Sequence, residues 1–296
     1  MQIVRFFRSG RVCGEGTTGA GAEAAGAAAG ARGLAALSVL GLLAAGCGAV
    51  RGEDLLDNVP AGPAVAAPDA RALHSQARRM VDAHVRQVTA GHRYGLAGAP
   101  LSAPQPPAFK PFLTTEPRLA RGRGKGLPAV ITRVPTRAKV VFLTVDDAAA
   151  KDPEFVRMMR ELDVPYSVFP TWHRRALPRL GGAGPQRAAI CGQQDALRRE
   201  TGQRPQLFRP PLGAYTLDTL RMAAACGVKV VPLWNEEASP GRMAYHARDH
   251  RLQSGDIILV RFDLRRDRHG AAVAALAALR AAQQQGFAIA RLEDYA

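Results

Sequence analysis

"KVVFLTVDDAAA", residues 139–150, sets an apolar run directly against two adjacent aspartates, Asp146 and Asp147. The run is short and rich in valine, which marks a buried strand rather than a helix. Acids at the carboxyl end of a strand stand where parallel α/β sheets keep their chemistry. Side chains of neighbouring strand residues diverge, so one carboxylate can bind a cation while the other accepts a proton from a metal-bound water. Taken alone, the pair serves equally well as a helix N-cap followed by a first-turn acid.

The rest of the chain beyond Leu127 supplies the context. "AVITRV" precedes "KVVFLTV" across a short Pro-containing turn. Then follow helix "PEFVRMMRELD", extended "VPYSVF", helix "PQRAAICGQQDALRRETG", strand "PQLFR", helix "TLDTLRMAAACG", strands "VKVVPLW" and "GDIILVRF", helix "GAAVAALAALRAAQQQG" and strand "FAIARL". Strands alternating with helices on this period predict a mainly parallel α/β sheet or barrel.

A second element falls at the end of a predicted strand: "FRPPLGAY", residues 208–215. Arg209 before two prolines and a glycine places a cation on a rigid, sharply turning backbone. Such an element can hold a carboxylate and aim a peptide N–H at developing negative charge.

With both elements in hand, the chain from about Pro135 resembles the polysaccharide deacetylase (NodB-homology) family. Its first motif reads T-F-D-D and its third R-x-P-x-G-x-Y. "TGQRPQLFRPPLGAY", "GVKVVPLWN", "SGDIILVRF" and "GFAIARLEDY" follow in family order. The resemblance implies a distorted (β/α) barrel and hydrolysis of the C–N amide bond of an N-acetylated cell-surface glycan, peptidoglycan or chitin-like. A divalent metal, usually zinc, polarises the carbonyl. By the same resemblance Asp146 is the general base, Asp147 the metal carboxylate and Arg209 the group that orients Asp146. The Tyr215 amide faces the oxyanion, and Pro211 and Trp234 line the substrate pocket.

The pattern then breaks. Family members draw two further metal ligands from an H-x-x-x-H motif, and here Pro170 and Arg174 stand nearest those positions, with His173 one place off. A parallel crossover needs about a dozen residues or more, so the αβ unit expected between Phe169 and Thr171 has no room. The fifth motif, leucine-x-histidine, carries Arg261 in place of the histidine, and Ala148 replaces the glycine after the aspartates. His246 and His250, four apart in "YHARDH", have helical zinc-ligand spacing but fall after the fourth motif, in a predicted surface loop. Two readings follow: a hydrolase with impaired activity, or a noncatalytic glycan-binding protein that keeps Arg209, Tyr215 and Trp234.

The amino-terminal part has another character. "GLAALSVLGLLAAGC" follows several arginines and is too short to span a bilayer, which predicts an export signal over residues 1–47. Its end resembles a bacterial lipoprotein cleavage site, making Cys47 the lipidated residue and placing the protein on the outer face of the membrane; ordinary cleavage and secretion is the alternative. Residues 48–126 then read as a tether, an amphipathic helix over 68–91 with a proline start and a glycine stop, and a linker with six prolines over 94–118, leaving 127–296 as the deacetylase-like domain. In an exported protein Cys191 and Cys226 either pair or remain as two buried thiols. The 296 residues carry 40 Lys+Arg against 25 Asp+Glu, a charge of +15 suited to anionic surroundings. No stretch interleaves basic and aromatic residues, so nucleic-acid binding is not expected.

Overall fold

The computed structural model describes residues 70–121, 124–146, 152–170, 176–261 and 270–296. The expected lipidation site Cys47, the metal carboxylate Asp147 and the stray histidine His173 lie outside the described residues.

Among the described residues eight strands and five α-helices alternate in an α/β fold. The first helix is α1 (Ala70–Arg93). After β1 (Ala129–Ile131) and β2 (Val140–Asp146) come α2 (Pro153–Glu161), β3 (Ser167–Phe169), α3 (Ala183–Thr201) and α4 (Leu217–Ala225). β4 (Val230–Pro232), β5 (Glu236–Ser239), β6 (Arg242–Ala244), β7 (Ile257–Val260), α5 (Gly270–Gln284) and β8 (Ala288–Ala290) complete the order. Helix boundaries follow local chemistry. The Asp152 carboxylate caps α2 by accepting from the Glu154 amide, with Pro153 in the first turn, and Thr216 and Thr219 form a reciprocal capping box on α4.

The larger sheet runs β3-β2-β7-β5-β6, parallel apart from the β5–β6 hairpin. Phe142 and Thr144 each pair with β7 and with a second strand, so β2 gives one whole edge to β7. It divides the other between β8, along Val140–Phe142, and β3, along Thr144–Asp146. Period-two alternation then assigns its faces. Val141, Leu143 and Val145 join the core beneath α1, α2 and α5, whereas Val140 and Phe142 face an inner cluster with Ile257, Ala290, Leu292 and Tyr295. Asp146 has the parity of the inner face.

β1 and β4 form a separate parallel pair, tied to the start of β7 by the Arg133–Asp256 bridge and by Val134 N–H donating to the Gly255 carbonyl at 2.9 Å. Gly255 has φ +85, and a β-carbon there would stand 1.8 Å from the Val134 carbonyl oxygen, so this junction requires glycine. The expected strand "PQLFR" reduces to a single bridge, Leu207 to Val230. Its other side lacks a ladder partner among the described residues, as does the outer edge of β3. Among the described residues the barrel wall is therefore partial, with no ladder joining Phe169 to Leu207.

The β5–β6 hairpin is absent from the expected elements. Residues His74–Ala296 form one compact unit, which begins before Leu127: Ala90 and Leu96 are core, and the Glu116 amide donates to the Val130 carbonyl. Cys191 and Cys226 are joined in a disulfide, with Cα atoms 5.0 Å apart, fastening α3 to the end of α4.

Candidate functional site

The inner-face parity of Asp146 places it beside the open part of the wall, in register with Phe169. Arg209 enters from the other side of the opening. It is 2% exposed and its guanidinium lies 4.2 Å from the Phe169 ring centroid and 5.4 Å from that of Trp234. Its Nε donates to the Pro232 carbonyl at 2.9 Å and Nη2 to the Leu233 carbonyl at 3.3 Å. Burial draws its pKa down to about 10, opposed by the negative charge of Asp146. Nη1 is buried and has no hydrogen-bond partner among the described residues. Asp146 and Arg209 thus interact electrostatically.

Trp234 comes next along the wall. Its Nε1–H donates to Glu237 Oε1 at 2.8 Å, and the same oxygen accepts from Arg261 Nη2 at 2.9 Å. β5 and β7 pair Glu237 with Leu259, so Glu237 and Arg261 both carry the inner-face parity. The arginine in the fifth motif is therefore held in an ion pair one residue beyond the Val145–Val260 pair that ends the β2–β7 register.

The loop of Pro211–Gly213 carries two left-handed residues, Leu212 at φ +60 and Gly213 at φ +67. A β-carbon on Gly213 would approach Trp234 Cη2 to 3.0 Å, so the glycine allows the indole to lie against the loop. Pro211 is buried in this turn. The Tyr215 ring packs with α3 and α4, and its hydroxyl donates to the Leu119 carbonyl at 2.6 Å. Among the described residues its amide has no hydrogen-bond acceptor.

A cavity of about 350 Å³ borders Trp234, Glu237, Asn235, Tyr245, His246 and Arg118, and a second of about 420 Å³ adjoins it through Arg118, Thr132, Asn235 and His246. Arg118 Nη1 meets His246 Nε2 at 2.8 Å, and since a guanidinium only donates, that nitrogen is the acceptor. Behind His246 lies Glu236, 1% exposed, whose carboxyl is pushed up to about 7 by burial, with the His246 amide partly offsetting and Asp256 adding to the rise.

The structure thus brings Asp146, Arg209 and Trp234 together and adds Phe169, Glu237 and Arg261. Phe169 was visible in the sequence only as a strand residue. Glu237 gave no signal, because its role depends on two partners, one of them 24 residues away. No group of three His, Cys, Asp or Glu side chains that could hold a metal occurs among the described residues. Both carboxylates of the site, Asp146 and Glu237, face arginines. By themselves these described residues do not complete a zinc site, which takes imidazole, thiolate or carboxylate ligands in threes and fours, and the expected ligands Asp147 and His173 lie outside them.

A family model for polysaccharide deacetylase matches residues 170–231. The chain is 37% identical over 220 residues to an uncharacterized protein of Streptomyces coelicolor, covering 64% of this chain and 86% of that protein. Solved structures that match part of the chain include a CE4 family pseudoenzyme from Bacillus anthracis, at 15% identity, 57% of this chain, 69% of that chain and TM-score 0.43. Another is the chitin deacetylase of the fungal pathogen Colletotrichum lindemuthianum, at 13% identity, 56% of this chain, 90% of that chain and TM-score 0.43. With the family model matched between the first and fifth motifs, and those motifs meeting at one end of a partial barrel, the chain belongs to the polysaccharide deacetylase family.

Proposed function

We propose that this protein binds an N-acetylated glycan at the Trp234 cleft and does not deacetylate it. The observation that carries the reading is the Arg261–Glu237 pair beside Trp234. Where the family motif has a histidine able to transfer a proton, this chain has a permanently charged guanidinium, tied to the carboxylate that also holds the indole. The cavity supports the binding half of the reading. Trp234 and Tyr245 offer apolar ring surface to a sugar, and Asn235, Glu237, Arg118 and His246 offer hydrogen-bonding groups to its hydroxyls and amide. We further place the protein on the outer face of the membrane through a lipid on Cys47, a reading supported by the apolar segment that ends at that cysteine.

A second reading, weak hydrolysis, is favoured by the retained coupling of Asp146 to Arg209 and by the Tyr215 amide, which has no acceptor among the described residues. In that case Asp146 would take a proton from water and the amide would meet the oxyanion. Titration of the full chain with chito-oligosaccharides, with parallel measurement of acetate, separates the two. Saturable binding lost in Trp234→Ala, with no acetate released, is expected. Acetate release abolished by Asp146→Asn would overturn the noncatalytic reading.

A further inference from the structure

Among the described residues, α1 packs on the rest of the compact unit through its last turns. Gln87 Nε2 donates to the Leu162 carbonyl at 2.7 Å, Ala90 is core, and Arg93 pairs with Glu161. Residues 74–86 are all exposed, about 20 Å of helix at 1.5 Å per residue. Along that length Ala77, Met80, Val81, His84 and Val85 fall on one stripe at three- and four-residue spacing. The apolar members stand open: Met80 is 66% exposed, Val81 61% and Val85 56%. A helical stretch of this length is marginal in water unless its apolar face is covered.

We infer that this stripe of α1 lies in the interface of an anionic lipid bilayer, as a peripheral contact of the protein with the membrane surface. The charges select the occupant. Arg78, Arg79 and Arg86 outnumber the one acid of residues 74–86, Asp82, which is four residues from both Arg78 and Arg86 and is thereby matched on its own helix. A second copy of the helix would bring a like-charged set whose one acid, Asp82, is already matched on its own helix, whereas anionic headgroups complement the arginines while the stripe enters the acyl boundary. No helix among the described residues is long and apolar enough to cross a membrane, so the contact lies along the surface. This inference does not rest on the glycan reading, since Trp234 plays no part in it.

The test uses the full chain carrying Cys47→Ser, so that no acyl chain contributes, and vesicles of phosphatidylcholine with or without phosphatidylglycerol. The Met80→Glu, Val85→Glu double variant is expected to lower partition onto phosphatidylglycerol vesicles at least tenfold while chito-oligosaccharide binding is unchanged. In a separate Val81→Trp variant, the emission added to that of Trp172 and Trp234 should shift to the blue on those vesicles and be quenched by brominated acyl chains. Unchanged partition of the double variant together with unquenched emission at position 81 would overturn the inference, as would quenching replaced by concentration-dependent dimerisation without lipid.

Discussion

The Arg209 guanidinium lies against the Phe169 ring at 4.2 Å, across the part of the barrel wall where no strand ladder joins β3 to Leu207. A side-chain stack occupies the opening. Arg209→Ala should therefore cost about 3 kcal/mol of unfolding free energy, since it removes a buried cation bonded to two carbonyls and leaves Asp146 without its positive neighbour. Arg209→Lys should recover less than half of this, because an ammonium cannot stack in the same way or serve both carbonyls in a planar fork. Urea denaturation of the three proteins measures both.

Glu236 gives a pH signature of defined sign. Its carboxyl is raised to about 7 in the folded protein by burial, so the folded state holds a proton that the unfolded chain releases nearer 4.5. Stability must then fall as pH rises from about 4.5 to 7 and level off above. Glu236→Gln should flatten that slope, recovering about 2 kcal/mol at pH 8 and little at pH 4.5. Urea midpoints taken across this range for both proteins give the comparison; equal slopes would show that Glu236 is ionised at low pH.

Gly213→Ala tests the seat of the indole. The substitution puts a β-carbon 3.0 Å from Trp234 Cη2 at a left-handed φ, and should cost about 1–2 kcal/mol in stability. Because the loop would push the ring from its place, chito-oligosaccharide affinity should fall as well. Titration beside thermal melting shows whether the two losses occur together.

The disulfide spans 35 residues of sequence between Cys191 and Cys226. Restricting an unfolded loop of that length corresponds to about 3–4 kcal/mol in the chain-entropy model. The Cys191→Ser, Cys226→Ser double variant should lose about that much, and a reducing agent should lower the melting temperature of the unsubstituted protein but not of the variant.

The Glu237–Arg261 pair should contribute little to stability despite its position. Arg261 is 57% exposed, so a double-mutant cycle with Glu237→Gln and Arg261→Met should give a coupling under about 1 kcal/mol. The Arg261 substitution should instead be seen in glycan affinity, as a loosening of the carboxylate that holds Trp234.

Elements whose burial is local were legible from their pattern. Val140–Asp146 reads as a strand because its own residues alternate between two apolar faces, and α4 reads as a helix because Thr216 and Gly227 bracket it. The β5–β6 hairpin escaped notice because "EEASPGRMA" has neither alternation nor β-branched residues; it is held by pairing to Ile258, Leu259 and Val260, far along the chain. Conversely "PQLFR" looks extended but forms one bridge, since among the described residues no strand pairs with its other side. In the site, Asp146, Arg209 and Trp234 were legible because motifs carry them. Glu237 was not, because only the fold brings it between an indole and a guanidinium.

The short reach of β3 has a consequence for solubility. A barrel that lacks a strand exposes peptide groups that another molecule could extend into a continuous sheet. Here the bare border is three residues long and is bracketed by Pro165 and Pro170, which supply no amide hydrogens. A border so brief gives an incoming strand almost nothing to grip, and the truncated wall is protected against growing into a fibre by the same prolines that bound its last strand.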